Sequence, residues 1–160
     1  MDDQQRAFPS TTAADRESLT QFLQYQRETL MMKCTGLNVE QLREAAVPPS
    51  GMTLLGLVRH MAEVERSWFQ EDFRGDPVTT AWKGFEVADA DPAEAFRVWD
   101  AACAVSREIV DGAESLDVRV QIGGEPHSLR YIVTHMIEEY ARHNGHADFL
   151  RERIDGTTGE

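Results

Sequence analysis

Three of the five histidines fall in one stretch near the C-terminal end, Ser128 to Ile154, SLRYIVTHMIEEYARHNGHADFLRERI. Wound at about 100° per residue, it places Leu129, Val133, Met136, Tyr140, Ala147 and Ile154 within a narrow arc. His143 falls inside that arc. Glu139 lies roughly 40° further round and still flanks the apolar face, whereas Glu138 points to the opposite, solvent side. As residues i and i+4, Glu139 and His143 can meet over one point in space. A polar group drawn into a core needs a partner, because burying it unpaired costs roughly 1–3 kcal/mol. Either His143 is an interior histidine bonded to the carboxylate, or one metal ion serves both.

A third donor lies in another apolar-periodic stretch. His60 stands at the edge of the stripe Leu54, Leu57, Val58, Met61, Val64 and Trp68. Taken alone it reads as a partly exposed helix residue. Helix bundles, however, build metal sites from side chains on facing helices. Two imidazoles and a carboxylate are a set that holds zinc, iron or nickel and leaves a position open for water or substrate. His135 lies two turns before His143 and His146 one turn after it. Either could replace Glu139 as a ligand or orient a ligand from behind. Otherwise they form a polar helix flank, which is the simpler reading for His135. His127, beside Pro126, reads as a loop residue.

These side chains need long helices to carry them. Residues 1–10 read as a disordered tail. From Thr12 the repeat Leu19, Phe22, Leu23, Gln26, Leu30, Cys34 describes a first helix, stopped by Gly36. Asn38-Val-Glu-Gln41 has the form of a capping box, and Val47-Pro48-Pro49-Ser50-Gly51 of an extended link. The second long helix spans about Thr53 to Phe73. Gly75-Asp76-Pro77 ends it, and residues 76–90 form a connection whose Trp82 and Phe85 are expected to fold back as a lid. Asp91-Pro92-Ala93-Glu94 starts the next helix, with a capping carboxylate, proline at the first position and glutamate closing the box. Its stripe is Ala95, Val98, Trp99, Ala102, Val105 and Ile109, and it stops near Asp111-Gly112. Residues 116–122, LDVRVQI, alternate before Gly123-Gly124 as a short strand or hairpin does. Asn144-Gly145 interrupts the last helix with a turn signal. Because the stripe resumes at Ala147, Leu150 and Ile154, Gly145 is read as permitting close approach of another backbone.

The expected fold is therefore all-α: a four-helix bundle, up-down-up-down in character with one longer crossover, forming a single domain over residues 11–156 with a short tail at 157–160. A chain of 160 residues suffices for one cored domain. Its 41% apolar and 28% charged content is that of an ordinary soluble protein. A net charge of −12 without a basic block opposes binding to a nucleic acid. No apolar run approaches the roughly 20 residues that cross a bilayer, and the N-terminus is acidic and polar, so a cytoplasmic protein is expected. Cys34 and Cys103 form no CxxC motif and read as buried free thiols.

LLGLVRHMAEVERSWF on the second long helix and HMIEEYARHNGHADFLRERIDG on the last resemble the DinB/YfiT-like superfamily of metal-dependent bundle proteins, in an actinobacterial-type branch related to the N-terminal domain of mycothiol-dependent maleylpyruvate isomerase. The resemblance runs from about Leu19 to Gly156 and is most specific at His60 and from Glu139 to Gly145. Many members carry one histidine on helix two and a histidine-x3-histidine pair on helix four. Here Glu139 takes the first position of that pair, as in the isomerase, and His146 stands where relatives often carry glutamine.

The resemblance implies an enzyme that binds a divalent metal, zinc first with nickel or iron as other candidates, through His60, Glu139 and His143. It further implies transfer of a low-molecular-weight thiol of the mycothiol or bacillithiol type to a small electrophile, with His146 or Tyr140 as a proton partner. The same ligands would serve a metal-dependent hydrolase. The alternatives are a non-catalytic metal-binding stress-response module and a bundle whose histidines only pack. An apolar stripe left exposed on the first or third helix would support a homodimer.

Overall fold

The computed structural model describes residues 6–77, 82 and 85–159. Helix α1 runs over Asp15–Cys34, a single turn α2 over Val39–Leu42, α3 over Leu54–Glu65, α4 over Pro92–Gly112 and α5 over Leu129–Asp155. Strands β1 (Arg119–Ile122) and β2 (Glu125–Ser128) form the small antiparallel hairpin that precedes α5, with Val120 opposite His127. The fold is the expected all-α bundle, but its order is up-down-down-up rather than up-down-up-down. Helix α4 runs parallel to α3, with Arg59 near Ala95, Glu65 at Cys103 and Phe73 near Ile109, because the long 76–90 connection carries the chain back to the start of α3. The helix α1 packs chiefly on α5, and α3 on α4 and α5.

Local chemistry sets the ends of these elements. The Asn38 side chain accepts from the Gln41 amide, and the Gln41 side chain accepts from the Asn38 amide, a full capping box. Thr53, Asp91 and Ser128 each accept from an amide in the first turn of α3, α4 and α5. Gly123 and Gly124 have φ of +60° and +88°, which lets a two-residue turn join β1 and β2 with the right twist.

The second long helix departs from expectation in its winding. It is continuous, but after Glu65 it changes from α to π geometry over Arg66–Arg74 and closes on Gly75, whose φ is +79°. Glu65 sits at the change. It is fully buried and bonds Arg27 of α1 through two contacts of 2.7 and 2.8 Å. Tyr140 of α5 donates to Glu65 Oε1 at 2.9 Å, and Trp99 of α4 donates to the Tyr140 hydroxyl at 2.8 Å. One buried polar cluster thus ties all four long helices together. Burial alone would raise the Glu65 pKa, but Arg27 and the hydrogen bonds hold it below the ordinary carboxylate range.

Further details add to the sequence reading or depart from it. Residues 6–10, expected in a disordered tail, lie along α1: Arg6 sits 4.5 Å from the centre of the Tyr25 ring, Phe8 packs on that ring at 5.2 Å, and the Ser10 amide bonds Gln21. Residues 1–5 lie outside the described residues. Gly145 does not admit a neighbouring backbone; it is exposed inside an unbroken helix, and a Cβ there would meet nothing within 4 Å. The crowded glycine is Gly56, where a Cβ would stand 2.5 Å from the Phe85 ring. Of the expected lid, Trp82 lies against the Arg59 guanidinium and Phe85 against α3; residues 78–81, 83 and 84 lie outside the described residues. Cys34 and Cys103 are buried and free, as expected.

Candidate metal centre

Antiparallel α3 and α5 bring His60, Glu139 and His143 to one place. His60 Nε2 lies 3.8 Å and His143 Nε2 3.6 Å from the same oxygen, Glu139 Oε2. One donor atom from each residue falls within 4.8 Å of the others. Around a tetrahedral zinc with bonds of about 2.0–2.1 Å, donors stand about 3.4 Å apart, so the set fits such an ion with small side-chain adjustments. The two rings meet edge to face, 4.7 Å between centres. His60 keeps 30% of its side-chain surface exposed, against 12% for His143, so the cluster faces outward past His60.

The electrostatics suit a metal. Burial, then the neighbouring His60, pushes the His143 pKa down to about 4, although Glu139 opposes the shift. Burial also lowers the pKa of His60, again against Glu139. Both imidazoles are therefore neutral near pH 7, each with a lone pair free for coordination.

The flanking residues divide the support of this set. His146 Nδ1 lies 3.3 Å from His143 Nδ1, leaving His143 Nε2 turned toward Glu139. A proton on His143 Nδ1 donated to His146 would fix the tautomer whose Nε2 is the free donor. His135 Nε2 lies 4.0 Å from Glu139 Oε1, the other oxygen of the carboxylate. His135 also approaches Glu138 at 3.8 Å, so His135, Glu138 and Glu139 form a second, more exposed group on one helix face. His127 is on β2, with its ring 5.1 Å from Tyr131.

Tyr140 is set elsewhere. Its side chain is fully buried, its hydroxyl is held by Glu65 and Trp99, and burial raises its pKa well above the ordinary phenol value. The resemblance implied Tyr140 as a proton partner; here its hydroxyl is engaged by Glu65 and Trp99 in the core. Sequence reasoning also passed over Glu65 and Arg27. The signal was present, since each charge sits in the middle of an apolar stripe, Glu65 between Met61 and Phe69 and Arg27 between Leu23 and Leu30, and the two signs are opposite. Two cavities, of about 580 and 540 Å³, are lined by other residues, the first by Arg59, Trp82 and the 86–95 segment and the second by α1 and α4.

A helical bundle whose second and last long helices converge on a histidine, glutamate and histidine cluster is thus the setting in which kinship can be judged. No curated protein and no solved structure matches the chain. Residues 18–156 match the family described as Mycothiol-S-transferase, a span that covers all but the first turn of α1, the other long helices and all three clustered residues. With that span shared, the chain belongs to the mycothiol S-transferase family, a DinB/YfiT-like family.

Proposed function

We propose that this protein transfers a low-molecular-weight thiol of the mycothiol type to a small electrophile at a divalent metal, zinc first, held by His60, Glu139 and His143. The observation that carries the proposal is the convergence of two neutral imidazoles and a carboxylate from separate helices at ligand spacing, in a member of this family. The bound metal would supply a Lewis acid that favours thiolate over thiol at neutral pH. In the reaction the thiol loses its proton to solvent and the sulfur forms a bond to the electrophilic carbon. The displaced group leaves with its electron pair, or, in an addition, the adjacent carbon takes up a proton.

The chain's own residues supply placement. His146 holds the His143 ring in orientation. Glu139 would hold the metal through its carboxylate, and His135 stands beside one of its oxygens. Phe85, 5.7 Å from the His60 ring, covers one flank and limits water there.

The test is elemental analysis of untagged protein together with thiol consumption in the presence of a generic electrophile. About one metal per chain and metal-dependent loss of free thiol are expected. His143→Ala should remove the metal and leave the helical circular dichroism unchanged. Full metal content in that variant would count against the ligand set, and metal without thiol consumption would favour the non-catalytic reading.

A further inference from the structure

Next to the candidate metal centre, α5, β2 and the π-wound end of the second long helix carry an aromatic and imidazole shelf that the ligands do not account for. The Trp68 ring lies 4.6 Å from His135, 6.2 Å from His127 and 6.3 Å from Tyr131, centre to centre. Tyr131 lies parallel to His135, the planes 5° apart and the centres 6.1 Å apart. The group is not core: Tyr131 is 50% exposed, and Trp68, His127 and His135 are only partly buried. His135 joins the shelf to the metal centre through its contact with Glu139.

The change of helix winding puts Trp68 there. Eight residues of α-helix would turn Trp68 about 80° away from His60 around the helix axis. Wider π turns from Arg66 onward, at roughly 80° per residue, cut that offset to about 30° and bring Trp68 onto the face that carries His60. A π segment is rare, is often found at functional sites, and here its geometric effect is to align the shelf with the ligand.

Resting on the thiol-transfer reading, we propose that Trp68, with Tyr131 and His127, is the platform for the polyhydroxylated ring of the thiol cosubstrate, and that it selects a sugar-borne thiol over a bare one. The C–H face of a saturated ring lies against an indole, while its hydroxyls meet the phenol and imidazole at the edges. A neutral polyol needs no cationic partner. A phosphate-bearing thiol would have to approach a chain of net charge −12. Mycothiol carries its cysteinyl thiol on an amino sugar joined to inositol. An amide-linked cysteine sets sulfur about 6 Å from the sugar carbon, by standard bond lengths, and a single imidazole, His135, stands between Trp68 and Glu139.

The test uses two probes. The amino-sugar–inositol disaccharide lacking the cysteinyl arm is added to metal-free protein and followed by saturation-transfer NMR. In parallel, KM is measured for mycothiol and for N-acetylcysteine. Saturation transfer to the disaccharide is expected, reduced in Trp68→Ala and in the half-exposed Tyr131→Ala, and retained in Trp68→Phe. The mycothiol KM should rise about tenfold in Trp68→Ala, the scale of one lost stacking contact, with the N-acetylcysteine KM and the metal content unchanged. No transfer in the wild type, an equal loss for both thiols, or a KM change confined to the electrophile would overturn the platform. Disaccharide binding by a protein that takes up no metal even when zinc is supplied would instead sink the transfer reading and leave the platform standing.

Discussion

A histidine that is neutral at pH 7 because it is half-buried beside another imidazole differs from a surface histidine in what protons do to it. The folded-state pKa of His143 is about 4 and its ordinary value is 6.5, so between those limits the unfolded chain binds a proton that the folded chain does not. The stability this group contributes to the metal-free protein is complete above pH 6.5 and declines as pH falls toward 4. The melting temperature of metal-free wild type should therefore drop more between pH 7 and 4.5 than that of His143→Gln, as thermal denaturation at stepped pH would reveal. Parallel curves would mean that His143 is not held neutral by the fold. Protons and metal compete for the same lone pair, so metal should also be released in the acidic half of this range, readable by a chromogenic chelator.

Among the elements, the pairing of α3 with α5 matters most, and it is governed by the cluster around Glu65. Removing one member of a buried ion pair costs about 3–5 kcal/mol, because the partner is left charged and dry. Glu65→Gln should lose stability on that scale in chemical denaturation, while Arg27→Met combined with Glu65→Met should recover most of the loss. If the single variant were neutral, the pair would not be what holds the four helices in register. Within α5, Gly145→Ala is expected to stabilise the protein by up to about 1 kcal/mol, since helical glycine is penalised by that amount and the new methyl group meets nothing within 4 Å. A lower denaturation midpoint for that variant would show that the glycine is required for another reason. In the sequence Asn144-Gly145 signals a turn, and the structure shows why the signal fails: Asn144 is buried, with its amide donating to Gln26 of α1, so the residue that favours a turn is used to anchor the helix.

For the molecule as a whole, the candidate ligands lie on two helices separated by α4 and the hairpin in sequence, so an ion bound there joins distant parts of the chain. A ligand that binds only the folded state stabilises it by about 2.7 kcal/mol at a hundred times its Kd. Zinc should raise the melting temperature, EDTA should reverse the gain, and His60→Ala should abolish it. An unchanged melting temperature at saturating zinc would argue against a shared ion. Among the described residues, no helix is long and apolar enough to cross a membrane.

The helices, their caps, the hairpin turn and the face that gathers Glu139 and His143 were legible from periodicity and capping residues, because those features depend on neighbours three and four positions away. The tertiary structure alone decided the rest. Whether His60 meets that pair depends on how α3 and α5 pack, and whether Tyr140 faces the site or the core depends on a carboxylate 75 residues away. The change to π winding after Glu65, which aligns Trp68 with His60, has no periodic signature in the sequence. Long-range contacts set each of these, and local spacing carries no record of them.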